Sequence, residues 1–159
     1  MRVIGIDPGY DRLGLAVLEG TPGNETLCYS TCITSDATAP LPDRLHTIGA
    51  GVRTLLSHYQ PQVVGIETLF FNKNVKTAIH VAEARGVVSY VAREAGAVVA
   101  EYSPQEIKIA VTGHGGSDKS AVTMMVKRLI KGVPEHAVDD EYDAIAVALT
   151  CLAHSQKRQ

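Results

Sequence analysis

No apolar run in the sequence reaches the roughly 18 residues that a membrane helix requires, which argues against a helical span. The opening residues, Met1-Arg2-Val3-Ile4-Gly5-Ile6-Asp7, are charged too early and are too short in apolar character for a secretory leader. They read as a strand that begins the fold, and the expectation is a cytoplasmic protein with no membrane attachment. Cysteine is scarce. Cys28, Cys32 and Cys151 are odd in number and lack CxxC spacing, which argues against a disulfide framework and against a zinc site. Cys28 and Cys32, four apart in a strand-like stretch, are expected on one face as core thiols. Repeats, low-complexity tracts and long linkers are also missing. The 159 residues therefore read as one domain over 1–154 with a short polar tail at 155–159.

A strong net charge is lacking too. The value of −2 does not by itself announce a binder of polyanions, and 45% apolar with 20% charged residues is ordinary for a globular domain. The distribution says more. Residues 73–131 carry nine Lys/Arg against five Asp/Glu, whereas the rest carries six against twelve. A basic middle segment is what phosphate binding needs, although a solvated mixed surface reads the same way.

The apolar pattern predicts strands over 2–7, 12–19 and 25–33, the first two joined by a turn carrying Pro8, Gly9 and Asp11. Leu45, Ile48, Val52, Leu55 and Leu56 recur at helical spacing and predict a helix over 41–59, ended by Pro61. A central strand over 62–67, a long helix over 75–95, a strand over 97–102 and a short helix over 104–112 follow. A helix capped by Ser117 and a last helix over 139–154 complete the chain. Three strands followed by alternating helices and strands make an α/β fold with a sheet of mixed direction.

Val-Ile-Gly-Ile-Asp7 and Val-Val-Gly-Ile-Glu67 are two apolar strands of one pattern, each ending on a carboxylate. Strand ends of this kind face the crevice where open α/β sheets bind ligands. Two carboxylates held close repel, so the pair calls for a cation, and hard oxygen donors favour Mg²⁺ or Mn²⁺ over zinc. Asp140 and Asp143, three apart, share a face at the start of the last helix. Four such carboxylates can hold two metal ions about 4 Å apart, a clamp for the attacking and leaving oxygens of a phosphodiester. Other readings stay open. Acids in a first helical turn stabilise the helix dipole without any further role, and Asp7 before Pro8-Gly9 can cap a turn.

Ile4-Gly5-Ile6-Asp7-Pro8-Gly9, Ile66-Glu67, Ala84-Arg85-Gly86 and Asp140-x-x-Asp143-Ala144-Ile145-Ala146 occur in the order and spacing of the RuvC family, which the chain resembles over nearly its whole length. The resemblance implies a ribonuclease H-like fold, a mixed five-stranded sheet flanked by helices. It implies Asp7, Glu67, Asp140 and Asp143 as catalytic, metal-binding carboxylates, with two Mg²⁺ per site and Mn²⁺ as a possible substitute. It further implies paired symmetric nicking of four-way DNA junctions by a homodimer, with 5′-phosphate and 3′-hydroxyl ends, alongside a branch-migration motor complex. Asp139 directly precedes Asp140 and is an alternative ligand; the spacing to Asp143 favours Asp140.

The two phenylalanines, Phe70 and Phe71, are adjacent just after Glu67, beside Lys73 and Lys76. An exposed aromatic next to cations can wedge into a base stack, or either ring can be core. The resemblance matches Phe70 to the family's base-stacking aromatic. Lys73, Lys76 and Arg85 are candidates for phosphates along the same groove, as are Lys108 and Lys119, which flank a glycine-rich loop. The resemblance matches the last two to lysines that touch DNA backbone. Residues 113–120 nearly match the phosphate-binding P-loop, but Asp118 replaces the glycine before Lys119, and a carboxylate there repels phosphate. Ile6-Asp7-Pro8-Gly9 is also similar to the first phosphate loop of actin-like ATPases, which need two lobes where this chain has length for one. A ribonuclease H-like nuclease with another substrate is the nearer alternative, and Arg12-Leu13-Gly14-Leu15-Ala16 is faintly similar to the YqgF family. A silent DNA-binding module is the remaining one.

Overall fold

The computed structural model describes residues 1–68 and 75–155. Strands β1 (Arg2–Asp7), β2 (Arg12–Thr21) and β3 (Asn24–Thr34) form an antiparallel meander. Helix α1 (Leu41–Tyr59) leads to β4 (Val63–Glu67), α2 (Val75–Glu94) leads to β5 (Val98–Tyr102), and α3 (Pro104–Thr112), α4 (Lys119–Leu129) and α5 (Asp139–Ser155) close the chain. The sheet order is β3-β2-β1-β4-β5, with β4 parallel to both β1 and β5. This is the mixed five-stranded, ribonuclease H-like sheet that the resemblance implied.

β1 is central and apolar on both faces, as a strand covered on two sides must be. Its even residues, Ile4 and Ile6, join Leu13, Leu15, Val17, Val64 and Ile66 beneath Ile48, Val52 and Leu56 of α1 and Val88 of α2. On the opposite face Val3, Ala16, Leu18, Ala100 and Tyr102 pack against α3, α4 and α5. Helix α5 is buried from Ala144 to Leu152, so it is a core element with only its ends near solvent.

Two features differ from what periodicity predicts. The β2–β3 register slips where Val17 pairs with Tyr29 and Leu18 with Leu27, a bulge that leaves Cys28 unpaired. The bulge breaks the alternation of edge strand β3. Cys28 is exposed and Cys32 half-buried, so only Cys151 is a core thiol. The cap of α4 is Asp118, whose carboxylate accepts from the Ala121 amide, and not Ser117, whose hydroxyl pairs with Thr112 at 2.7 Å.

Candidate active site

Ile6 of β1 lies opposite Ile66 of β4, so Asp7 and Glu67 leave neighbouring strand ends. Side chains alternate along a strand, so Asp7 shares a face with Gly5, and Glu67 with Gly65. That face is the one beneath α5. A Cβ on Gly5 would stand 2.2 Å from the Ala144 carbonyl oxygen and 2.3 Å from the Ala148 nitrogen. On Gly14 of β2 it would stand 2.0 Å from the Asp140 carbonyl oxygen. The helix therefore lies directly on sheet backbone, which only glycine permits. This close approach brings the N-terminal end of α5, with Asp140 in its first turn and Asp143 in the next, to the carboxylates at the strand ends.

The entry to α5 is fixed by Tyr142. Its buried hydroxyl donates to the Pro134 carbonyl at 2.8 Å and accepts from the Ala137 amide at 3.1 Å. The turn after Asp7 is fixed by Arg44 of α1. Its guanidinium, with the side chain 9% exposed, pairs with Asp11, donates to Ser35 Oγ at 3.0 Å and lies 4.7 Å over the Tyr10 ring. His80 of α2 meets the other side of the same turn, its ring 5.0 Å from that of Tyr10.

Burial first, then the charges of Glu67, Asp143 and Asp140, raises Asp7 from the usual carboxylate range to about 7. Burial, then Asp143, raises Glu67 to about 7, against the opposing pull of Lys119 and Lys108. Asp143 is raised as well, chiefly by burial. Burial works to lower the Lys119 ammonium, but contacts with Asp143 and Asp139 outweigh it and raise it. Its Nζ lies 2.8 Å from Asp143 and 3.4 Å from Asp139. Arg12, at the start of β2, pairs with Asp140.

Glu67, Asp143, Lys108 and Lys119 line one cleft of about 190 Å³, floored by Ile107, Val122 and Ala146. Its donors are all carboxylate oxygen, the set that suits a hard divalent cation. Burial first and neighbouring negative charge second raise Asp7 and Glu67 to about 7, and such an ion would relieve the repulsion. As they stand, no three His, Cys, Asp or Glu side chains among the described residues grip a single point. Lys119 and Arg12 serve as counter-ions for them instead.

The sequence candidates divide clearly. The structure gathers Asp7, Glu67, Asp140 and Asp143 with Lys108 and Lys119. Asp139 is 77% exposed, with the Lys119 Nζ 3.4 Å from its carboxylate. Arg85 turns to Glu101 of β5 at 2.6 Å. Lys76 is exposed in the first turn of α2, while Phe70, Phe71 and Lys73 lie outside the described residues. The Asp118 cap occupies the amide that a P-loop would offer to phosphate. Arg12 and Arg44 escaped sequence reasoning as site residues. Each acts through a partner distant in sequence, and no local pattern signals it.

Carboxylates from two parallel strand ends and a crossing helix, on a ribonuclease H-like sheet, are an arrangement from which a nuclease centre can be built. The sequence profile described as "Crossover junction endodeoxyribonuclease RuvC" matches residues 3–151. A relative from Moorella thermoacetica with that same description is 40% identical, over 100% of this chain and 95% of its own length. The solved Thermus thermophilus RuvC superposes with a TM-score of 0.88 at 33% identity, covering 99% of this chain and 97% of the other. The same organism's RuvC in complex with a Holliday junction gives 0.93 at 31% identity, over 99% and 96%. The chain belongs to the RuvC family and is a crossover junction endodeoxyribonuclease, a Holliday-junction resolvase. Membership in this nuclease family implies dependence on a divalent metal.

Proposed function

We propose that Asp7, Glu67, Asp140 and Asp143 are the catalytic carboxylates and that together they hold two Mg²⁺ ions, with Mn²⁺ able to substitute. The observation that carries this reading is the closeness of the four acids, where burial and then the charges of its neighbours raise Asp7 to about 7, and burial and then Asp143 raise Glu67 to about 7. Bound divalent ions would supply the Lewis acidity that activates a water and stabilises the leaving 3′ oxygen. The chain's own residues do the rest. The ends of β1 and β4 fix Asp7 and Glu67, and the first two turns of α5 fix Asp140 and Asp143. Lys108 and Lys119 border the cleft where a scissile phosphate would sit and supply positive charge beside it.

The substrate of this reading is four-way junction DNA, nicked in symmetric pairs to leave 5′-phosphate and 3′-hydroxyl ends. Phe70, Phe71, Lys73, Lys76 and Arg85 are the further DNA-contacting candidates; the first four follow Glu67 within nine residues of sequence, which supports a role beside it. A homodimer would present two sites to opposite strands. Val88, Val91 and Ala92 of α2 are packed into the protein's own core, and Ala84 is buried too, which leaves that side of the helix unavailable to a partner. Exposed Tyr90 lines a groove between α1 and α2 together with Leu45, Val87 and Val91, which supports an interface there. The reading also includes a single nuclease domain over 1–154, a cytoplasmic setting and work beside a branch-migration motor. No helix among the described residues is long and apolar enough to cross a membrane.

The test is single-turnover cleavage of a mobile four-way junction by wild type and Asp143→Asn, with junction binding measured in Ca²⁺. Retained binding with cleavage reduced by about 10²-fold or more supports the reading. Undiminished cleavage by the variant overturns it.

A further inference from the structure

We propose that Arg12 is a displaceable counter-ion. It holds Asp140 while the site lacks metal, and on metal loading it is released to a phosphate of the bound DNA. The inference rests on the proposed metal site. Its starting point is the asymmetry of the two cations among the acids. Lys119 is shared by Asp143 and Asp139 and lines the cleft itself. Arg12 comes from a different element, as the first residue of β2, and among the described residues its ion pair is with Asp140. The backbone beneath that pair cannot relax, because Gly14, two residues on from Arg12, packs against the Asp140 carbonyl. Asp140 is therefore held in place by the close seating of α5 and does not need Arg12 as a structural strut.

The Arg12 side chain is 51% exposed, against 25% for Asp140. Its guanidinium thus meets Asp140 and the half-buried Cys32 thiol while about half of the side chain stays open to solvent. An ion pair this exposed is weak, and a divalent cation on the same carboxylate carries twice the charge and displaces it readily. A freed guanidinium keeps its five donors, and its planar fork matches two phosphate oxygens. The arrangement exchanges one salt bridge for another. Without metal, Arg12 neutralises an acid that would otherwise repel DNA. With metal, the same charge becomes available to the substrate. Metal binding and DNA binding are thereby coupled through one side chain.

The test compares wild type, Arg12→Gln and Asp7→Asn in two assays. The first is Mn²⁺ binding without DNA, read by the loss of the free-ion electron paramagnetic resonance signal. Removing the competitor should tighten the weaker Mn²⁺ site of Arg12→Gln by about three- to fivefold. The second is binding of a four-way junction in EDTA and in Ca²⁺. Arg12→Gln should bind about three- to fivefold more weakly than wild type in Ca²⁺, where the freed guanidinium meets phosphate, and by a smaller factor in EDTA, where Arg12 only offsets the Asp140 charge. A merely structural role would weaken metal and junction binding together, in both buffers, and that result overturns the proposal. Unchanged Mn²⁺ affinity in Arg12→Gln also overturns it, provided that Asp7→Asn loses Mn²⁺. If Asp7→Asn binds Mn²⁺ as wild type does, the metal-site reading itself has failed.

Discussion

Replacing Asp7 by Asn should stabilise the metal-free protein at pH 8. A buried carboxylate whose folded value lies above its unfolded one favours folding only while it is protonated. Its contribution is complete below the unfolded value, 3.8 for Asp7, and is lost as pH rises through the folded value of about 7. For Asp7 alone, the loss between pH 5 and pH 8 comes to about 2.5 kcal/mol, at 1.36 kcal/mol per pH unit of separation. Glu67 and Asp143 share the same repulsion, and removing one charge eases the others. We therefore expect wild type to lose roughly 1–2.5 kcal/mol more than Asp7→Asn between those two pH values in EDTA. Urea unfolding at pH 5 and pH 8 measures it, with the slope against urea checked for constancy. Adding Mg²⁺ at pH 8 should then reverse the order, because only wild type gains binding free energy from the ion. Parallel pH profiles for the two proteins in EDTA would refute the reasoning. So would a variant that is no flatter than wild type.

Three further outcomes follow from the same geometry. Gly5→Ala places a methyl group 2.2 Å from the Ala144 carbonyl, and no flexible side chain is there to give way. It should cost about 1–3 kcal/mol, lower Tm by several degrees, and reduce junction cleavage beyond what the folded fraction explains, because α5 carries Asp140 and Asp143. Asp118→Ala removes the α4 cap and should cost about 1 kcal/mol in thermal unfolding, while ATP binding stays absent by calorimetry. Junction binding in Ca²⁺ should weaken roughly 10²- to 10³-fold between 50 and 200 mM salt for about five phosphate contacts, as a filter-binding titration would show.

Much of the site was legible because it uses local patterns. A strand buried on both faces must be an apolar run, and a carboxylate ending such a run is conspicuous in both Ile6-Asp7 and Ile66-Glu67. The two glycines in those strands carried a signal of their own: Gly5 lies where α5 touches backbone, and Gly65 where Cys151, Val147 and Tyr102 crowd the sheet. Cys28 was misjudged because a bulge is decided by the partner strand, and alternation along one strand cannot reveal it. The α4 cap moved by one residue because Thr112 takes the Ser117 hydroxyl, leaving the Asp118 carboxylate for the amide. Arg12 and Arg44 went unseen for a third reason. The Arg12–Asp140 pair spans 128 residues, and only the fold brings its members together.

The most direct test of the central claim is cleavage of a mobile four-way DNA junction by wild type and Asp7→Asn, in Mg²⁺ and in EDTA, with nick positions mapped on all four strands. The account predicts symmetric paired nicks by wild type in Mg²⁺ only, and binding without nicking by Asp7→Asn. Nicking by wild type in EDTA, or undiminished nicking by the variant, would contradict a metal-dependent role for Asp7.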